Sequence, residues 1–187
     1  MRKMLGAALL LLVACDPHQV VLDVQAPATR AQEPPGLERA TVRRVIDGDT
    51  IEVVIEEIDP GPGAGETERG QTYKLRLIGI DTPESVKPRS PVECFAREAS
   101  AATKALLQGA EVVLVKDVEN VDRYDRLLRY VYVADEMANA RLVANGYAHA
   151  YTYPPNTRHS LVLQNLQREA REAKRGLWFP ETCRAKD

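Results

Sequence analysis

"ATVRRVIDGDTIEVVIEEI", residues 40–58, is two β-rich runs on either side of Asp47-Gly48-Asp49, and it reads as a hairpin. Acid-glycine-acid between strands is a common turn and taken alone carries no chemistry. The segments beyond the hairpin set the architecture. "DPGPGAGETERG" (59–70) is rich in Gly and Pro, has no period and reads as a long solvent loop. A third strand spans roughly Thr72–Ile80. "VECFAREASAATKALLQG" (92–109) has helical character and many alanines, with Gly109 placed as its stop. Two further β runs, "EVVLVKDV" (111–118) and "RLLRYVYVAD" (126–135), are joined by the charged "ENVDRYD". A short helix in "EMANARLVANG" ends at Gly146, and a longer one in "HSLVLQNLQREAREAKRG" ends at Gly176. The order β-β-β-α-β-β-α-α predicts an α+β, β-rich fold: a five-stranded OB-fold barrel with three packed helices. Barrels of this type bind oligonucleotides and oligosaccharides.

The chain opens "MRKMLGAALLLLVACDP". Arg2 and Lys3 form a positive n-region, and Leu5–Val13 an apolar core too short to span a bilayer. "LVAC" (12–15) resembles the lipobox of bacterial lipoproteins, which implies cleavage before Cys15 and a lipid on its thiol. The alternative is an ordinary signal peptide cut near Ala14. Residues 1–14 are therefore expected to be a leader, 15–38 (with Pro17, Pro27, Pro34 and Pro35) a tether, and 39–187 one folded domain. The expected location is the cell envelope, at the inner membrane facing the periplasm in a Gram-negative host, or secreted if the lipobox is not used. Contact with the membrane is expected through the lipid alone, and the domain is expected to be a monomer.

Removing the leader takes away two basic residues and leaves 23 against 27 acids, a net charge of −4. A general basic coat for nucleic acid is excluded, so any phosphate binding must be local. His18, His149 and His159 show no metal-ligand spacing, which argues against zinc. With Cys15 lipidated, Cys94 and Cys183 remain as an even pair in an oxidising compartment. Cys94 starts the first helix and Cys183 lies past Trp178, where the tail can return over that helix, so a disulfide is expected. The alternating charges of the last helix read as a solvated face, Trp178 as a core plug, and both domain histidines as surface or packing residues.

The chemistry lies in a combination. Asp49 and Asp81 end neighbouring strands, where a barrel can bring them together as hard oxygen ligands for Ca²⁺ or Mg²⁺. Thr82 can add its carbonyl, and Glu84 is one short turn away. Arg76 sits in the same strand, in "RLIGIDTPES" (76–85), and Arg126 opens the fifth strand. Two Arg, two Asp and a Glu suit phosphodiester hydrolysis. Guanidinium forks grip phosphate oxygens, a metal polarises the phosphate, and a carboxylate takes a proton from water.

The motifs "VIDGDT", "LRLIGIDTPE", "DRYDRLLRYVY", "LVANGYAHAYTYPPN" and "RGLW", in this order between about Arg39 and Phe179, resemble the staphylococcal nuclease (thermonuclease) family. The resemblance implies a calcium-dependent endonuclease acting on DNA and RNA and leaving 3′-phosphate ends. It implies that Asp49 and Asp81 are Ca²⁺ ligands with the Thr82 carbonyl, and that Asp47 stands behind them. It makes Glu84 the general base or water-orienting carboxylate, and Arg76 and Arg126 the contacts to the scissile phosphate. Arg123 and Tyr124 match positions that touch a terminal phosphate, with Arg in place of a frequent Lys, and Tyr151 and Tyr153 match the base pocket. It also implies a sharp bend in "YPPN", with Pro154–Pro155 expected cis. Two departures stand out. Asp125 occupies a position where the family often has Gly, either pairing with Arg126 or facing solvent, and the 59–70 loop is extended and expected to rim the cleft. The alternative function is a non-catalytic OB-fold module of the cell envelope that binds nucleic acid.

Overall fold

The computed structural model describes residues 24, 33–84 and 92–183; the expected leader cleavage site and Cys15 lie outside them. The barrel is built from β1 (Leu37–Asp47), β2 (Thr50–Asp59), β3 (Thr72–Leu77), β5 (Glu111–Val115) and β6 (Leu127–Val133). β1 and β2 form the predicted hairpin, with three register shifts along its length, and such irregularities let long strands coil. The sheet runs β3-β2-β1-β5-β6, and a parallel pairing of β3 with β6 closes it. Alternate residues face inward: Ala40 and Val42, then Ile51, Val53 and Ile55, then Leu75 and Leu77, all buried. Three two-residue strands lie outside the barrel. β7 (Glu136–Met137) extends β6, while β4 (Ile80–Asp81) pairs with β8 (His149–Ala150).

Helix α1 (Ala96–Leu107) buries Ala96, Ala99, Thr103 and Leu107, a stripe with helical spacing. Thr103 in that stripe donates its hydroxyl to the Gly48 carbonyl at 2.5 Å, so the helix grips the turn of the first hairpin. Helices α2 (Ala138–Ala144) and α3 (Ser160–Glu172) pack on one another beside β6. With both faces covered, six of the seven β6 residues are buried, which explains its nearly unbroken apolar run. A 3-10 turn, Gly176–Trp178, follows α3. Trp178 is not the expected core plug. It is half-buried, edge-on to His149 at 5.0 Å and under the Arg171 guanidinium at 4.3 Å. The Cys94–Cys183 bridge is present, with Cα atoms 5.7 Å apart, and Pro154–Pro155 is cis.

The expected boundary at residue 39 falls inside a strand, and the fold begins earlier. The Val24 backbone exchanges two hydrogen bonds with the Asn145 amide. The Glu33 carboxylate meets Arg158 at 2.7 Å, His159 at 2.6 Å and the Tyr132 hydroxyl. Burial would raise its pKa, but hydrogen bonds from His159 and Tyr132, with the charges of His159 and Arg158, hold it below the ordinary carboxylate value.

Glu38 continues the inward series of Ala40 and Val42, and a carboxylate there needs a partner. That partner is Arg129 of β6, and both side chains are fully buried. Arg129 Nε donates to Glu38 Oε2 at 2.6 Å and Nη2 to Oε1 at 3.2 Å, a two-pronged pair. The remaining donors reach the carbonyls of Leu128 and Asn120 and the Asn120 side chain, and Thr67 donates its hydroxyl to Glu38 at 2.6 Å. The 59–70 loop is packed onto this pair. A Cβ at Gly65 would lie 1.7 Å from Arg129 Nη2, so only glycine fits. No residue of the loop lines the cleft that holds Arg76 and Arg126, which corrects the expectation that it forms a rim.

Replacing Arg129 with Met should strand a buried carboxylate and lower stability by about 3–5 kcal/mol. Denaturant unfolding measures this, and a loss under about 1 kcal/mol would contradict the pairing.

Candidate active site

Barrel closure assembles the site. Thr50 lies opposite Arg76 across β2 and β3, and the β3–β6 pairing sets Leu75 beside Leu127, directly after Arg126. Two arginines fifty positions apart in sequence thereby reach one end of the barrel. Arg76 Nη2 lies 3.1 Å from Asp49 Oδ2 and 3.0 Å from Asp81 Oδ1, so both carboxylates converge on one nitrogen. Asp49 Oδ2 also accepts from the Thr82 amide and hydroxyl, each at 3.1 Å. Thr82 packs so closely on the hairpin turn that a Cβ at Gly48 would lie 2.6 Å from its hydroxyl oxygen. Asp47 is buried behind the turn and accepts from the Gly48 amide.

Thr50, which sequence reasoning missed, links the halves. Its hydroxyl donates to Asp49 Oδ1 at 3.0 Å and accepts from Arg126 Nη1 at 3.4 Å. Asp122 was missed too. It accepts from Arg126 Nε at 2.7 Å, pairs with Nη2 at 2.6 Å, and receives the Arg126 and Tyr124 amides. Burial pushes the Asp122 carboxyl up, but those bonds prevail and keep its pKa below the ordinary value. The signal for it was the i,i+4 spacing to Arg126 within the charged loop. Asp125 has left-handed backbone (φ 58), and Arg126 pairs with Asp122 instead, which settles the choice left open by the sequence.

Arg76 and Arg126 line a cleft of about 520 Å³ together with Asp122, Arg123, Tyr124, Tyr151 and Tyr153. Tyr124 is exposed, with Arg123 over its ring at 4.7 Å and Arg126 at 5.4 Å. Tyr151 and Tyr153 are exposed with nearly parallel rings, 6.5 Å between centroids, on the segment whose Tyr151 amide donates to Gly79. One cleft thus carries cations at one end and two aromatic faces that nucleobases can stack on. Glu84 does not line it. Its amide donates to Glu93 Oε2 at 3.0 Å and its carbonyl accepts from the Glu93 amide at 3.1 Å.

A family profile described as "Staphylococcal nuclease homologue" matches residues 74–180. The chain belongs to the staphylococcal nuclease family. It is 40% identical over 141 residues to a thermonuclease of Staphylococcus intermedius, covering 75% of this chain and 76% of that one. It is 39% identical over 137 residues to a thermonuclease of Staphylococcus hyicus, 73% of each. Endonuclease YncB of Bacillus subtilis is 33% identical over 144 residues, 76% of this chain and 62% of its own.

The donor set near Arg76 fits a hard divalent cation, since Asp49, Asp81 and the Thr82 carbonyl offer oxygen alone. It is sparse: the described residues hold no group of three or more His, Cys, Asp or Glu placed to bind a metal. Burial raises the Asp81 carboxyl above its ordinary pKa; Arg76 opposes this and Asp49 adds to it. A cation there would relieve the repulsion between the two carboxylates.

Asp125→Gly should leave activity within about twofold, because Asp122 and not Asp125 holds Arg126. It should leave stability unchanged or raise it by up to about 1 kcal/mol, since glycine adopts this φ freely. Steady-state cleavage rates and a thermal melt measure both, and a sharp loss of activity would assign Asp125 a role of its own.

Proposed function

We propose that this protein is a calcium-dependent endonuclease that hydrolyses phosphodiester bonds of DNA and RNA to leave 3′-phosphate ends. Membership of the nuclease family supports the reaction class, and the product ends are those the family resemblance implies. The observation that carries the reading is the convergence of Arg76, Arg126, Asp49 and Asp81 beside a cleft lined with tyrosines.

In this reading Arg76 and Arg126 bind the non-bridging oxygens of the scissile phosphate and stabilise the charge that builds on them. Asp122 keeps the Nε edge of Arg126, which directs the other face of the guanidinium toward substrate. Asp49, Asp81 and the Thr82 carbonyl would hold Ca²⁺, which supplies polarisation of the phosphate and positioning of the attacking water. Glu84 accepts the water's proton or orients the water. The water oxygen bonds to phosphorus as the P–O5′ bond breaks, the 5′ oxygen takes up a proton from solvent, and the phosphate stays on the 3′ oxygen. Tyr151 and Tyr153 stack against a base, and Arg123 and Tyr124 meet the neighbouring phosphate. We extend the proposal to location: the lipobox-like leader supports a monomer held at the cell envelope through lipid on Cys15.

Digestion of plasmid DNA and RNA should require Ca²⁺ and stop with excess chelator. Arg76→Ala or Arg126→Ala should each cost roughly 10²-fold in kcat, and Glu84→Gln should slow cleavage while sparing nucleotide binding. Cleavage that survives complete chelation would overturn the metal assignment, and binding of DNA without cleavage under any condition would favour the non-catalytic module. For the location, labelled fatty acid should enter the expressed protein and be absent from Cys15→Ser; equal labelling of both would remove the anchor.

A further inference from the structure

Glu84, the carboxylate assigned to water, is held through the backbone on both sides. On one side Glu84 follows Thr82, whose amide and hydroxyl are bound to Asp49. On the other side Glu93 closes a two-bond clamp on its backbone. The Glu84 amide donates to the Glu93 side chain at 3.0 Å, and the Glu93 amide donates to the Glu84 carbonyl at 3.1 Å. Glu93 is not part of α1, and its own position needs an anchor. The next residue, Cys94, is bonded to Cys183. The one after, Phe95, has left-handed backbone (φ 68) and stacks on Tyr147 with centroids 5.6 Å apart.

Cys183 in turn ends a segment locked to the helices. The Thr182 hydroxyl donates to the Gly176 carbonyl at 2.9 Å, and the Leu177 amide donates to the Gly146 carbonyl at 2.9 Å. A covalent and hydrogen-bonded path therefore runs from the turn after α2, through the 3-10 turn Gly176–Trp178, Cys183, Cys94 and Glu93, to the backbone of Glu84.

Resting on the nuclease reading, we propose that Glu93 is a positioning residue for Glu84, and that the Cys94–Cys183 disulfide is what holds Glu93 in place. Displacing a catalytic group by about 1 Å can cost up to 10²-fold in rate. Losing either Glu93 or the bridge should therefore depress turnover more than substrate binding. Reduction acts at the same point: a dithiol gives two electrons and two protons to the bridge, yielding the thiols of Cys94 and Cys183, and is itself oxidised to a disulfide.

The test is steady-state cleavage of a short labelled oligonucleotide in Ca²⁺, well below the melting temperature of every variant and scaled to the folded fraction. Glu93→Ala should lower kcat about tenfold with KM within twofold. Glu93→Gln, which keeps an acceptor for the Glu84 amide, should restore most of that loss. In a Glu84→Gln background, Glu93→Ala should cost nothing further. The Cys94→Ser/Cys183→Ser variant, and wild type treated with dithiothreitol, should reproduce the Glu93→Ala defect, and neither should deepen it when Glu93 is already Ala. Should Glu93→Ala fail to fold, Glu93→Met, which keeps the length but has no oxygen acceptor, is the second lesion. Wild-type kcat in the lesion variant, or an equal loss with and without Glu84, overturns the inference while leaving the nuclease intact. A wild type that cleaves no oligonucleotide sinks the nuclease reading and this inference with it.

Discussion

The buried pair of Glu38 and Arg129 is the constraint around which the barrel is organised. Two opposite charges sit in the dry interior, where neither is tolerable alone. Their residual hydrogen-bonding capacity then recruits everything nearby: Thr67 from the long loop, and Asn120 from the segment that leads to Asp122 and Arg126. The Arg129 carbonyl accepts the Ile78 amide where β3 ends. The ion pair thus ties together the first strand, the extended loop and the approach to the second arginine, while the Arg129 backbone adds the exit from the strand carrying the first. A well-packed apolar replacement could match it in energy and would keep the backbone bond to Ile78, but it would not specify the side-chain connections to Thr67 and Asn120.

The site follows from topology more than from proximity in sequence. Arg76 lies on β3 and Arg126 at the start of β6, and a parallel pairing between these strands brings them to one rim. The carboxylates arrive by different routes: Asp49 from the hairpin turn gripped by α1, and Asp81 from the small β4–β8 ribbon that also delivers Tyr151. Cation cluster and aromatic faces are therefore mounted on separate elements that meet at a single cleft. Each of those elements is anchored by its own contacts to the core.

Most barrel strands and helices were legible in the sequence because each buries one face and so leaves a period, while β6, buried on both faces, showed as a short apolar run. The hairpin at Asp47-Gly48-Asp49 and the stops at Gly109 and Gly146 were legible as turn chemistry. The features that escaped did so for physical reasons. β4, β7 and β8 are two residues long, too short to show any period. Glu38 falls in the expected tether and Arg129 draws no notice, since a charge in a strand ordinarily marks the solvent face, and their mutual burial depends on a pairing across 91 positions. Asp122 and Thr50 look like ordinary loop and strand residues until closure places them beside Arg126. Glu33 lies in a proline-rich stretch with no pattern, and its three partners come from elements far along the chain.

The bridge has a further meaning when the molecule is viewed in time. Cys183 follows the last helix, so every strand and helix of the domain must be synthesised before its thiol can meet Cys94. The barrel, the two arginines and the carboxylates of Asp49 and Asp81 all belong to chain that precedes it, and they can take shape earlier. The seat of Glu84 is then the final piece to be set. On the proposed function, a nascent or reduced chain would hold its cleft before it held a fixed base, and chemical competence would come with oxidation, as the closing act of maturation.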